Sequence, residues 1–166
     1  MSTLYLTCGL PGSGKTSLAK MIEREAIALR LTGDDWMHKL YPGITTPEAE
    51  TGPCRARVEG LQWEIALRAA RLGYNVVVDW GVWSRAERDT CRKEARAVGA
   101  KVVLCFLDVP SEELWRRVAE RNSMLPAGTF LISRADLLRW SRLFETPTAD
   151  EMALYDPPDY RIVPSS

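Results

Sequence analysis

Gly9-Leu10-Pro11-Gly12-Ser13-Gly14-Lys15-Thr16 sets three glycines, an ammonium and a terminal hydroxyl at fixed spacing. Glycine lets the chain turn tightly and approach a ligand closely, so successive amide hydrogens can converge on phosphate oxygens. Lys15 can reach terminal phosphates, and the Thr16 hydroxyl can ligate Mg2+. If a helix starts here, its first amides and positive dipole end, around Ser17, add to the same anion site. The chemistry implied for residues 9–17 is binding of a magnesium–nucleoside triphosphate, ATP or GTP. A glycine-rich turn with an exposed lysine would leave the spacing and its flanks without a reason.

Those flanks are the apolar run Leu4–Cys8 and the helical pattern Ser17–Glu23, giving strand, loop, helix. Further along, 26–32 reads as a short strand ending at Gly33-Asp34-Asp35, and Pro47–Glu50 as a short helix opening after Pro42-Gly43. A helix is expected over 55–72 with Val58, Leu61, Ile65 and Leu72 on its apolar stripe and Gly73 stopping it. The run Val76–Asp79 reads as a strand covered on both faces. A helix over 85–98 follows, with Ser84 as its N-cap. Next come a strand over 101–108, a helix opening at Pro110 that runs through Arg121, and a helix over 133–144. Tyr160–Val163 is an edge-strand candidate. Repeated strand–helix units predict a parallel sheet with helices on both faces.

At 166 residues and 46% apolar, the chain has material for one sizeable core, so a single domain over 1–166 is expected. Lys plus Arg equals Asp plus Glu at 22 each, which excludes an overall basic field that would draw nucleic acid. No long uncharged apolar segment suggests a membrane span, and the N-terminus enters a strand without a signal-peptide pattern, so a cytoplasmic protein is expected. The four cysteines are widely spaced and form no metal or redox pair. Cys8 and Cys105, in strand-like runs, are expected to be buried thiols.

The loop, Gly33-Asp34-Asp35-Trp36, the Val76–Asp79 strand and Arg117-Val118-Ala119-Glu120-Arg121-Asn122 together resemble the small P-loop kinases related to the polynucleotide 5′-hydroxyl kinase domain. That group extends to chloramphenicol phosphotransferase-like and zeta-toxin-like proteins, and the resemblance runs from Leu4 to about Glu151. It implies a P-loop NTPase three-layer α/β sandwich, nucleoside-monophosphate-kinase-like, with a mostly parallel five-stranded sheet and a short helical lid at about 115–135. ATP and Mg2+ are the cofactors it implies. It places the acceptor's proton on Asp34, with Asp35 as the other member of the pair. Independently of the family, an ionised carboxylate near the transferred phosphate can orient a hydroxyl and take its proton. Either aspartate would also suit the start of a short helix.

The resemblance makes Asp79 a holder of Mg2+-bound water or of the acceptor hydroxyl, where its plainer role is to cap the following loop. Trp80, Trp83 and Arg85 then fall on the acceptor side, although large aromatics also fill packing sites. Arg117 and Arg121, four apart and so on one helical face, belong in the resembling kinases to a lid over the phosphates. The plainer alternative pairs them with Glu113 and Glu120; Arg116 points elsewhere. The polynucleotide kinase carries an arginine where this chain has Met37, with His38 and Lys39 the next basic residues. That departure and the balanced charge favour a small hydroxyl-bearing acceptor over a nucleoside or polynucleotide 5′-hydroxyl. A nucleotide-dependent switch without an alcohol acceptor is the reading from another class; an acceptor-sized cleft beside Asp34 and Asp79 would favour the kinase.

Overall fold

Three runs of β-branched and apolar residues build the centre of the molecule, because each is apolar at successive positions and must be covered on both sides. The computed structural model describes residues 1–42, 52–124 and 130–158. In order, its elements are β1 (Thr3–Cys8), α1 (Lys15–Glu25), β2 (Leu29–Thr32), α2 (Gly33–Leu40), α3 (Gly52–Arg71), β3 (Val76–Asp79), α4 (Arg85–Ala97), β4 (Lys101–Phe106), α5 (Ser111–Met124), α6 (Arg134–Leu143) and α7 (Ala149–Met152). The strands form a parallel sheet in the order β2-β3-β1-β4. The sheet has four strands among the described residues where five were expected. Both the Tyr160–Val163 strand and the Pro47–Glu50 helix opening lie outside the described residues.

Alternation along the strands divides the core. Leu4, Leu6, Val76, Val78, Val102 and Leu104 face α3 and α4, meeting Ala66, Ala70, Cys91 and Ala95. Tyr5, Val77, Val103 and Cys105 face the other way, onto Ala19 and Ile22 of α1. Cys8 and Cys105 are buried free thiols, as expected. Ser84 caps α4 by accepting from the Glu87 amide, also as expected. Among the described residues, no helix is long and apolar enough to cross a membrane.

Two expectations are corrected. Strand β2 starts at Leu29 rather than Ala26, because the chain turns through Ile27 with φ 49° and the Ala28 amide bonds back to the Glu23 carbonyl. Helix α3 buries Val58, Gln62, Ala66 and Ala70. Leu61 and Leu72, expected on that stripe, are 55% and 68% exposed, and Ile65 is 39% exposed. Close seating against the sheet requires small side chains, so the alanine face wins over the adjoining face of larger residues. Gln62 secures the fit by donating to the Thr32 carbonyl at 3.1 Å.

In a parallel sheet every strand ends at the same edge, so Cys8, Thr32 and Asp79 deliver their following segments to one crevice. The glycine-rich loop, α2 and the Trp80–Trp83 segment meet there.

Candidate active site

The loop between β1 and α1 folds tightly, with the Ser13 amide donating to the Leu10 carbonyl at 3.1 Å. Gly12, at φ 85°, is pressed against α5: a Cβ there would sit 2.9 Å from Val118 Cγ2 and 3.0 Å from the Leu114 carbonyl oxygen. Any side chain would push the loop off the helix that carries Arg117 and Arg121. Gly14 precedes α1 without a side-chain cap, so the first amides of that helix stay available to a ligand.

Lys15 Nζ donates to the Gly9 and Leu10 carbonyls, each at 2.9 Å. Burial pushes its pKa down to about 8 against the opposing pull of Asp79 and Asp34. Thr16 Oγ1 donates to Asp79 Oδ1 at 3.2 Å. The other oxygen of Asp79 accepts from Thr32 Oγ1 at 3.3 Å and lies 3.7 Å from Arg30, whose guanidinium also donates to Thr32 Oγ1. Burial raises the Asp79 pKa, and bonding from Thr16 and the nearby cations opposes it. A hydroxyl beside a fixed carboxylate fits Mg2+ that takes its other ligands from phosphate and water. Among the described residues no cluster of three or more His, Cys, Asp or Glu forms a self-sufficient metal site.

Asp34 and Asp35 occupy the first turn of α2 rather than a loop. Asp34 forms an ion pair with Arg55 Nη2 of α3 at 2.8 Å and faces the crevice. Asp35 pairs with Arg30 at 3.6 Å and does not line it. Arg85 also stays outside, 3.9 Å from Asp89 on its own helix. The crevice is a cleft of about 740 Å3, within the range of small-molecule sites, and Pro11, Gly12, Gly14–Ser17, Asp34, Asp79, Trp80, Trp83, Arg117 and Arg121 all line it.

The two arginines of α5 differ. Arg117 Nε donates to Glu113 at 2.6 Å, the ordinary surface pairing, while Arg116, which also bonds Glu113 and Glu120, lies off the cleft. Arg121 has Nε and Nη2 buried without a hydrogen-bond partner. Burial lowers its pKa while the Asp34 charge raises it. The buried hydroxyl of Ser13, on the loop itself, is likewise unpartnered. Unpaired buried donors carry a desolvation cost that an anion in the cleft would relieve. Met37 is buried against Val58 and Phe130, which explains why no basic residue serves there.

Arg55, Glu59, Phe130, Ile132 and Trp140 also line the cleft and were not anticipated. The four-residue spacing of Arg55 and Glu59 signals a helical ion pair, here 3.5 Å, but nothing local says that this turn of α3 faces Asp34. Burial pushes the Glu59 carboxyl up to about 7 despite Arg55. Its folded-state pKa therefore exceeds the unfolded one, and the folded state holds the extra proton. Stability is favoured below the unfolded value and declines as pH rises through about 7. Glu59→Gln is expected to exceed the parent in stability by about 1–3 kcal/mol at pH 8 and to match it near pH 4. Urea unfolding at both pH values checks this, and equal midpoints at pH 8 would contradict it.

A family model described as an AAA domain matches residues 4–147. No curated protein matches the chain. Among solved structures, a protein of Chloroflexus aurantiacus described as a candidate kinase superposes with TM-score 0.70 at 16% identity, covering 89% of this chain and 83% of that one. A gluconokinase of Sinorhizobium meliloti gives 0.59 at 21%, covering 89% and 78%. The Mycobacterium tuberculosis APS kinase CysC, solved with AMPPNP and APS, gives 0.58 at 25%, covering 75% and 73%. With the phosphate loop, the parallel sheet behind it and a family match over most of its length, the chain belongs to the AAA domain family and has the fold of its small P-loop kinases.

Proposed function

We propose that the protein is an ATP-dependent kinase, one domain over 1–166, that moves the γ-phosphate to a hydroxyl of a small acceptor. The observation that carries this reading is that Asp34, Lys15 and the unpartnered Arg121 guanidinium share one cleft with room beyond the phosphate loop. A switch protein needs no such acceptor space beside Asp34 and Asp79. Similarity to an APS kinase solved with AMPPNP supports ATP as donor.

In this mechanism residues 9–17 hold the triphosphate through loop amides, the α1 terminus and Lys15. The acceptor oxygen attacks the γ-phosphorus and forms the new P–O bond. Its proton passes to Asp34, and the bond to the β–γ bridging oxygen breaks with its electron pair leaving on ADP. Asp34 rather than Asp35 is assigned this task because Asp34 faces the cleft, held by Arg55. Thr16 and Asp79 would hold Mg2+, which would supply charge neutralisation at the phosphate oxygens. Arg117 and Arg121 stabilise the transferring group from a lid at about 115–135, of which 125–129 lie outside the described residues. Trp80 and Trp83 bound the acceptor; Arg85 has no part. The free thiols suit a reducing, cytoplasmic setting.

A polyanionic 5′-hydroxyl end is the second reading. It is disfavoured because a strand would need several free cations, and among the described residues the cleft's cation apart from Lys15, Arg117 and Arg121 is Arg55, already shared by Asp34 and Glu59. A transfer assay with γ-labelled ATP against small alcohols, nucleosides and 5′-hydroxyl oligonucleotides tests the reading. A labelled small acceptor is expected. ATP binding without transfer to any of them would overturn it.

A further inference from the structure

Trp83 is the tryptophan that the core does not use. Trp36, Trp63, Trp80, Trp115 and Trp140 all pack against buried apolar clusters, whereas Trp83 joins none among the described residues. Its backbone is nevertheless fixed on both sides. The amide donates to Glu87 at 2.9 Å, and the carbonyl accepts from Arg88 Nη1 and from the Glu145 amide, each at 3.0 Å. Arg88 is itself locked by Glu151 through two bonds of 2.6 and 3.0 Å in the interior.

The indole is seated as firmly as the backbone. It folds over Gly81, where a Cβ would fall 2.3 Å from Trp83 Nε1 and 2.7 Å from Cδ1, so the absence of a side chain at 81 makes its berth. Trp140 of α6 meets it edge-on, with ring centroids 6.0 Å apart and planes at 64°. Both indoles line the cleft that holds Asp34. Trp83 is an aromatic surface outside the core clusters that borders the cleft, and a ring held this firmly loses little entropy when a planar ring stacks on it. The charges point the same way. Arg55 lies 5.6 Å over the Phe130 ring and is taken by Asp34 and Glu59, so an anionic acceptor would have to displace a carboxylate.

We propose that the acceptor is a hydroxyl compound carrying a planar, uncharged ring, which stacks on Trp83 beside Trp140 while its hydroxyl meets Asp34. This rests on the kinase reading above and narrows its substrate class.

The full chain is assayed with γ-labelled ATP and Mg2+ against uridine, 4-nitrobenzyl alcohol and sorbitol. The two ringed alcohols separate a nucleoside source from an aryl one, and sorbitol lacks a ring. At least one ringed alcohol is expected to exceed sorbitol about tenfold or more in kcat/KM. Trp83→Ala is expected to raise that acceptor's KM by about ten- to a hundredfold, the range of a lost stacking contact, with the KM for ATP unchanged. Trp83→Phe is expected to restore most of the affinity, which a merely structural role would not predict. Sorbitol equal to the ringed alcohols, or a Trp83→Ala defect confined to ATP, overturns the proposal. Should no alcohol be phosphorylated, the kinase reading falls, and calorimetry of the same compounds on protein loaded with AMPPNP and Mg2+ still decides the ring site. Ring binding lost in Trp83→Ala upholds it, and no ring binding at millimolar concentration refutes it.

Discussion

Asp34→Asn is expected to lower phosphate transfer at least about a hundredfold, the usual minimum for loss of a general base, while ATP affinity stays within about threefold of the parent. The substitution keeps the size of the side chain and an oxygen beside Arg55, which lies 2.8 Å away in the parent. It removes the carboxylate charge assigned to take the hydroxyl proton. ATP affinity should hold because the loop amides, the α1 terminus and Lys15 make the phosphate site without it. Asp35→Asn supplies the contrast: that carboxylate lies off the cleft beside Arg30, so its replacement should change turnover by less than about threefold. Single-turnover transfer with γ-labelled ATP measures both. Unchanged transfer in the Asp34 variant removes that residue from the mechanism, and a large loss at Asp35 would move the base there.

The second large effect is structural. Arg88 and Glu151 are 0% and 1% exposed and bonded in a bidentate pair that ties α4 to α7 across 63 positions of sequence. Removing one partner leaves the other charge buried and uncompensated, so Glu151→Ala is expected to cost about 3–5 kcal/mol. For a chain of this size that corresponds to a fall in Tm of roughly 6–20 °C. Replacing both members, as in Arg88→Met with Glu151→Leu, is expected to recover most of the stability, because burying two charges was itself expensive. The double variant still lacks the Arg88 bonds to the Val82 and Trp83 carbonyls, at 3.2 and 3.0 Å. Acceptor affinity should therefore remain weakened after stability returns. Chemical unfolding of the three proteins tests the ordering; a Glu151→Ala cost below about 1 kcal/mol would show that water reaches the pair.

How far the sequence alone reached can be seen at particular residues. Gly9 to Thr16 specified their own backbone, and the phosphate chemistry follows from covalent structure and spacing over a few positions. Strands β1, β3 and β4 and the helices beginning near 85 and 133 were legible for the same reason: hydrophobic period acts locally, as does the Ser84 cap. Helix α3 was read with Val58 inward, as it is, but with Leu61, Ile65 and Leu72 beside it, and only close fit against the sheet chooses the alanine side instead. Asp34 and Asp35 are chemically identical neighbours, and the turn of α2 that aims one at the cleft and the other at Arg30 separates them.

Tertiary structure decided the rest. Arg55 reaches Asp34 across 21 positions, and Arg88 braces the tryptophan segment through Glu151. Sequence spacing encodes neighbours along one element. Partners on different elements are chosen by which faces pack, and that choice depends on the volume and charge of the whole core at once.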